Sequence, residues 1–218
     1  MYQIIQPKDR AKNLATIDSM HRNRYDVCVT QWGWNIPGIR PGYDKDQFDT
    51  EKTVYITITD PEFGKVVAST RMNPTTEPHM MSELFAHYCT LQPYPQRQDT
   101  WECSRYVIDR TLYNDPLKEF KIRCSLGVGI AQYCVEHGIN QVSWLTHQKF
   151  YQRIQKAWAT EPLGLPVQDT PDGWAWVPAV SQVNAATYAR QRERLANAED
   201  VVAEMLRAHS RRKTSRAA

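Results

Sequence analysis

The chain lacks any long apolar run. Its first segment, MYQIIQPKDR, turns charged before a hydrophobic stretch develops, and no later stretch approaches the roughly 20 apolar residues that a membrane span needs. The sequence therefore predicts neither an export signal nor a membrane segment. We expect a soluble, cytoplasmic protein with no membrane partner.

Cysteine is scarce, and its spacing shows no pairing pattern. The five cysteines, an odd number without a CxxC pair, lie at positions 28, 89, 103, 124 and 134. Disulfide frameworks use even numbers of cysteines, and zinc sites use closely spaced pairs. The sequence therefore predicts a reduced compartment, with no metal and no cofactor.

Basic charge is also lacking outside the C-terminal region. Residues 182–218 carry eight Arg or Lys against four Asp or Glu, while the other 181 residues carry 19 basic and 20 acidic side chains. A nucleic-acid-binding surface would need basic residues gathered on one face, so we expect no nucleic-acid partner. The terminal SRRKTSRAA is typical of a solvated tail, and contact with an acidic partner is the alternative.

What the chain does contain is enough apolar material for one core, with 41% hydrophobic residues, seven Trp and eleven Tyr. Alternation predicts a hairpin and three further strands, and a 3.6-residue period predicts helices between them. The strands are KTVYITITD, its partner PEFGKVVASTRM, WECSRYVI, INQVSWLTH and WAWVPAV, and the helices are residues 10–31, PLKEFKIRCSLGVGIAQYCVEHG and QKFYQRIQKAW.

This order of elements predicts one α/β domain, a single-domain α/β/α sandwich with a mixed sheet. We place that domain at residues 1–181 and a C-terminal helix with a basic tail at 182–218. The apolar stripe of the helix would consist of Leu195, Val202 and Leu206. It would pack either on the body of the domain or on a second copy of the chain in a homodimer.

The segment WECSRYVID places two opposite charges, Glu102 and Arg105, in an apolar stretch. Strict alternation along a strand would send these two side chains to opposite faces. A bulge would re-aim one of them, and bulges are common beside active sites. The alternative is an ordinary salt bridge or surface pair, so this stretch alone leaves both interpretations open.

Other charges also stand among aromatic residues instead of among further charges. They are Arg24 with Trp34, the pair Asp46 and Asp49 in DQFD, and Arg71 in STRMNPTT, in addition to Glu102 and Arg105. Three arginines and three carboxylates are costly to bury singly but tolerable as one network. Such a pocket suits a zwitterion, because carboxylates bind an ammonium group and arginines bind a carboxylate.

The segments that carry these charges resemble the signature blocks of the LuxI-type acyl-homoserine-lactone synthases, in the same order and at the same spacing. The blocks are RYDVCVTQWGW, DQFDTEKTVYI, VVASTRMNPTTEPHMMSELF and WECSRYVI. The likeness is strong over about residues 15–110 and weaker to about 180. It implies a fold like the N-acetyltransferases, with a cleft between splayed central strands.

The resemblance further implies an acyltransferase for quorum sensing. Such enzymes transfer an acyl group from acyl-CoA or acyl carrier protein to the amine of S-adenosylmethionine, then lactonise the product and release methylthioadenosine. The site residues carried over for S-adenosylmethionine are Arg24, Cys28, Trp34, Asp46, Asp49, Arg71, Glu102 and Arg105. Cys28 departs from the family, which usually has Phe there.

Within that set we assign Glu102 as the base that deprotonates the amine, with Asp46 as the next candidate, and Arg71 as the third catalytic residue. The acyl pocket or donor site would involve Ser143, Trp144, Thr146, Lys149 and Arg153. Trp144 has a plain core position as its alternative. RCSLGVGIAQ resembles a phosphate-binding loop, with an ordinary helix as the alternative.

The donor prediction is coenzyme A carrying a short branched or aryl acyl group. Four tryptophans in the second half of the chain would shorten the acyl pocket, although they would serve equally as core: Trp144, Trp158, Trp174 and Trp176. Two other functions stay open. One is an N-acyltransferase of similar fold that makes no lactone, and the other is a binding protein that works through its basic tail.

Overall fold

A seven-stranded mixed sheet forms the centre of the computed structural model, which describes residues 1–113, 115–168 and 173–217, with side chains to residue 208. The strands are β1 (Tyr2–Ile5), β2 (Val54–Asp60), β3 (Lys65–Pro74), β4 (Thr100–Ile108), β5 (Gln141–His147), β6 (Ala159–Pro162) and β7 (Trp176–Gln182). They lie in the order β1-β2-β3-β4-β5-β7-β6. Only β4 and β5 pair in parallel.

The helices cover both faces of this sheet, which confirms the predicted α/β/α sandwich. They are α1 (Leu14–Tyr25), α2 (Pro116–Glu136), α3 (Gln148–Gln155), α4 (Ala185–Ala196) and α5 (Ala198–Ala217). The apolar face packs on α2, with Ile56, Met72 and Leu126 fully buried in the main core. The opposite face lies under α1, where Ile5 and Met20 are fully buried in a smaller cluster.

The strands at the two edges of the sheet were not predicted. β1 and β6 have four residues each, which is too short for alternation to be recognised. Each forms because it pairs with a longer neighbour, β1 with β2 and β6 with β7. The predicted hairpin of β2 and β3 and the three other predicted strands are all present.

The predicted C-terminal helix is two helices, because the chain breaks at Asn197 between α4 and α5. Both helices pack on α2 of the same chain. The side-chain oxygen of Gln191 on α4 approaches Gly127 of α2, and Val202 of α5 is buried against α2. Leu206 lies one turn after Val202 in the same helix but is 52% exposed, so the predicted stripe is wrong at that residue.

A cleft opens between the two central strands, as predicted. β4 and β5 are paired from Thr100 opposite Gln141 to Cys103 opposite Trp144. Beyond those residues β4 pairs only with β3, and β5 pairs only with β7. Glu102 and Ser143 therefore lie side by side just below the point at which the strands separate.

The glycines of RCSLGVGIAQ lie inside α2, so the ordinary helix is correct and the phosphate-loop interpretation is wrong. Their role is close packing. A Cβ atom at Gly129 would lie 2.8 Å from Cγ2 of Ile56 and 3.0 Å from Cδ2 of Tyr2. At Gly127 the nearest atom would be the side-chain oxygen of Gln191, at 2.9 Å.

We predict that Gly129→Ala lowers the free energy of unfolding by about 1 kcal/mol, because overpacking against the branched Ile56 outweighs the helix propensity gained. Chemical denaturation measures this change. Gly127→Ala is the comparison. Its loss of free energy of unfolding should be smaller, because the added methyl group would meet the flexible end of the Gln191 side chain. A Gly129→Ala variant as stable as the parent would contradict the packing argument.

Candidate active site

A bulge in β4 turns Arg105 toward the polar face of the sheet. Ser69 of β3 lies opposite Val107, but Arg71 lies opposite Ser104, so one residue of β3 spans two of β4. Arg105 takes φ 52°, and it alone among the described non-glycine residues has a positive φ. This left-handed conformation costs on the order of 1 kcal/mol. The bulge places Arg105 on the same face as Glu102.

Six buried charges on this face form a closed ring in which arginine and aspartate alternate. In order they are Arg24, Asp44, Arg105, Asp46, Arg71 and Asp49, and the successive N–O distances around the ring are 3.1, 2.9, 2.8, 2.5, 3.2 and 2.8 Å. None of the six side chains is more than 7% exposed. Three positive and three negative charges make the ring neutral.

The ring favours the ionised state of Asp44, Asp49 and Arg24. Burial opposes ionisation of Asp44 and Asp49, yet the adjacent guanidinium groups hold the pKa of both carboxyls below the usual range. Burial likewise opposes the charge of Arg24, but Asp49 and Asp44 raise its pKa. Among the ring's side chains that the structure describes, Nη2 of Arg71 is a buried donor without a partner.

Asp44 is the ring member that sequence reasoning missed. It is fully buried and joins Arg24 to Arg105, the place in the network that was assigned to Glu102. Its proximity to Asp46 in YDKDQFD was the available signal. The predicted network of three arginines and three carboxylates is therefore present, with Asp44 as its third carboxylate.

Glu102 lies outside the ring and is 1% exposed. Its Oε1 accepts a 2.7 Å hydrogen bond from the backbone N–H of Met81, and its Oε2 is buried without a partner among the described residues. Arg105 instead binds Asp44 and Asp46. The salt-bridge alternative for Glu102 and Arg105 is therefore wrong, and Glu102 keeps one oxygen available.

Trp34 lies against Arg105 of the charged ring, and Cys28 lies in the apolar cluster on which Trp34 packs. The guanidinium carbon of Arg105 is 5.8 Å from the ring centroid of Trp34, within cation–π range. Cys28 is fully buried with Val27 and Val107. Burial raises the pKa of the Cys28 thiol to about 12, so this thiol is not activated as a nucleophile.

The predicted acyl-pocket residues lie on both faces of β5. Ser143 is fully buried on the polar face, where its Oγ is 2.6 Å from the hydroxyl of Tyr94. Trp144 and Thr146 alternate to the other face. Trp144 belongs to the main core and donates a 2.9 Å hydrogen bond from Nε1 to Oγ of Ser181.

The four tryptophans are divided between core and rim. Trp144 and Trp158 are buried in contact with each other, with ring centroids 5.9 Å apart. Trp176 packs against Trp34, also at 5.9 Å, beside the charged ring. Trp174 is 43% exposed. The core interpretation therefore holds for two of the four.

Lys149 and Arg153 lie on α3 beside a groove of about 640 Å³ lined by Lys149, Gln152, Arg153, Gln155 and Lys156. Nζ of Lys149 is 4.8 Å from the ring centroid of Trp174. Burial and the neighbouring Arg123 and Arg110 lower the pKa of Arg153. This side of the cleft therefore carries excess positive charge.

The described parts of the chain contain no helix that is long and apolar enough to cross a membrane. They also contain no group of His, Cys, Asp or Glu side chains arranged to hold a metal ion.

Splayed central strands, a buried carboxylate at the base of the cleft and a charged wall make this part of the α/β fold the candidate active site. The sequence model of the autoinducer synthase family matches residues 9–169. The chain belongs to this family. The predicted family resemblance is therefore confirmed.

Relatives and a solved structure agree with this membership. An isovaleryl-homoserine lactone synthase from Bradyrhizobium diazoefficiens is 31% identical over 151 residues, which is 69% of this chain and 66% of that protein. An acyl-homoserine-lactone synthase from Ralstonia solanacearum is 33% identical over 38% of this chain and 41% of its own length. The matches thus span less than two thirds of either relative.

The solved structure is that of the CoA-dependent acyl-homoserine lactone synthase BjaI with SAM and isopentyl-CoA. It superimposes with a TM-score of 0.78 and 27% identity, over 90% of this chain and 89% of that one. The likeness therefore extends beyond the segment that the family model matches.

We predict that Asp44→Asn lowers the free energy of unfolding by about 3 kcal/mol, because it leaves buried arginine charge uncompensated. Denaturant titration measures the change. Asp18→Asn is the control, since Asp18 pairs with Arg22 at 2.8 Å on the surface and should matter little. Equal effects of the two substitutions would show that the ring is not a stabilising unit.

Proposed function

We propose that this protein is an acyl-homoserine-lactone synthase. It transfers an acyl group from an acyl-CoA to the amine of S-adenosylmethionine and closes the methionyl part into an N-acyl-homoserine lactone, releasing methylthioadenosine. The observation that carries the proposal is Glu102, whose Oε2 is buried and unpartnered at the base of the splayed strands. Family membership and the printed functions of the relatives support it.

The first step needs a neutral amine, and Glu102 is suited to produce it. Its Oε1 is fixed by the N–H of Met81, so Oε2 is the oxygen that takes a proton from the ammonium group. Asp46 is less suited because both of its oxygens bind arginines, Arg71 and Arg105. The nitrogen then attacks the thioester carbon, the C–S bond breaks, and the second nitrogen proton goes to the departing thiolate.

The second step is intramolecular. The methionyl carboxylate attacks its own γ-carbon, the bond from that carbon to sulfur breaks, and neutral methylthioadenosine leaves. The protein's task is to hold the chain curled, and positioning of this kind supplies several kcal/mol. We assign the carboxylate to the unpartnered Nη2 of Arg71, with Trp34 against the positively charged sulfur.

The remaining ring members act by positioning. Arg24 and Asp49 hold Arg71 and Arg105 in place through the ring, and Cys28 supports the ring from below. Together with Glu102, the ring members account for every charged side chain that the family resemblance assigns to the S-adenosylmethionine site.

We predict that purified protein with S-adenosylmethionine and acyl-CoA yields methylthioadenosine and an acylated lactone together, measured by mass spectrometry. Glu102→Gln should lower the turnover number by at least about 100-fold, because the amide cannot take the proton. Glu83→Gln, an exposed carboxylate in the neighbouring segment, is the control. Acylation without methylthioadenosine would favour the N-acyltransferase that makes no lactone.

For the donor we propose coenzyme A with a short branched or aryl acyl group. Aromatic rings occupy the apolar side of the cleft. The ring centroids of Tyr106 and Phe150 are 5.4 Å apart, and the pair Trp144 and Trp158 belongs to the same core cluster. Aromatic side chains shorten an acyl-binding pocket and favour a compact acyl group. The basic side chains Lys149 and Arg153 would meet the phosphates of the donor.

We predict that Arg153→Gln raises the Michaelis constant for acyl-CoA about tenfold and leaves that for S-adenosylmethionine unchanged, because one phosphate contact is lost. Steady-state kinetics measure both constants. Arg207→Gln, in the exposed part of α5, is the control.

The parent should also show a higher kcat/KM with short branched or aryl-CoAs than with long straight chains or acyl carrier proteins, and the reverse order would contradict the donor proposal.

A further inference from the structure

A second polar cluster lies beside Glu102 on the same face of the sheet, outside the charged ring. It contains His79, Tyr94 and Ser143. Ser143 is directly opposite Glu102 in the parallel ladder, and its Oγ is 2.6 Å from the hydroxyl of Tyr94. The ring centroid of Tyr94 is 5.1 Å from that of His79. Tyr94 thus connects His79 to the strand pair that bears Glu102.

The hydrogen bonds of His79 fix its tautomer. Nδ1 lies 2.7 Å from the carbonyl oxygen of Glu77, which can only accept, so Nδ1 carries the hydrogen. In the neutral ring Nε2 is then a bare acceptor. The side chain is fully buried, and Nε2 has no partner among the residues that the structure describes.

Two buried acceptors therefore lie near Tyr94, Nε2 of His79 and Oε2 of Glu102, and Glu102 is hydrogen-bonded to Met81, two residues after His79. Burial and the nearby Glu102 carboxylate raise the pKa of Tyr94 well above its ordinary value, so its phenol keeps its hydrogen. That hydroxyl is already engaged with Ser143. A ligand that supplies several N–H donors would satisfy both acceptors, and an ammonium group supplies three.

We propose that His79 is a second amine-binding residue of this site, and that its Nε2 accepts a hydrogen bond from the α-amino group of S-adenosylmethionine alongside Oε2 of Glu102. This inference rests on the proposed function. Glu102 takes the proton, and His79 holds one of the remaining N–H groups. The nitrogen lone pair is thereby directed toward the thioester, and no proton moves to His79.

The test compares the binding of S-adenosylmethionine with that of methylthioadenosine, which lacks the amino-acid part. The variant His79→Phe keeps an aromatic ring against Tyr94. In titration calorimetry we expect its affinity for S-adenosylmethionine to fall about tenfold and its affinity for methylthioadenosine to stay unchanged. His79→Gln keeps an acceptor near the position of Nε2 and should lose less. Unchanged affinity of His79→Phe for S-adenosylmethionine, or equal weakening of both ligands, would overturn the proposal.

A measurement on the parent protein does not depend on how the variants fold. The ¹⁵N chemical shift of Nε2 of His79 should move when S-adenosylmethionine is added and stay constant with methylthioadenosine. No difference between the two ligands would refute the contact. For the calorimetric comparison of variants, His137→Phe is the matched control, because His137 stacks on Tyr133 at the end of α2, on the other face of the sheet.

The outcome separates this inference from the proposed function. If the parent makes acylated lactone and His79→Phe binds S-adenosylmethionine normally, only the role of His79 fails. If the parent makes no lactone, the proposed function itself fails.

Discussion

The structure depends on the closure of one ring of alternating charges. Its arginines come from three elements, Arg24 from α1, Arg71 from β3 and Arg105 from β4, while its aspartates all come from the loop at 44–49. Each buried ion would cost several kcal/mol if it were unpaired, so the ring is stable only when all six members are in place. It therefore fixes the loop and α1 against the sheet, and it explains the left-handed conformation of Arg105.

The ring also determines which groups stay available for a substrate. Among the described residues, the buried side-chain atoms of the ring all have partners except one nitrogen of Arg71, and Glu102 beside the ring keeps one buried oxygen without a partner. A donor and an acceptor left in this way complement the carboxylate and the ammonium of an amino acid. The splay between β4 and β5 then connects this polar face with the apolar face, where an acyl chain would find Tyr106 and Phe150.

Much of the fold followed from local patterns, because the sequence of β2 alternates clearly and α2 keeps its period to the turn at Gly138. The edge strands β1 and β6 could not be predicted, since four residues give no period and their pairing is decided by a neighbour. In the site, the predicted arginines lie together. His79 and Tyr94 were missed because nothing in the local sequence marks a residue whose role is set by distant partners, and for Asp44 the only local signal was its position two residues before Asp46.

The sequence by itself indicated that charges in apolar surroundings would be tolerable if they were buried as one network, and that Glu102 and Arg105, if they lie on one strand, would share a face only through a bulge. Only the tertiary structure decided the pairing, in which Arg105 binds Asp44 and Asp46 and not Glu102. The physical reason is that ion pairs form between side chains that are near in space. The two carboxylates that bind Arg105 lie about 60 positions before it in the chain. Their pairing with Arg105 therefore depends on how the loop packs on the sheet.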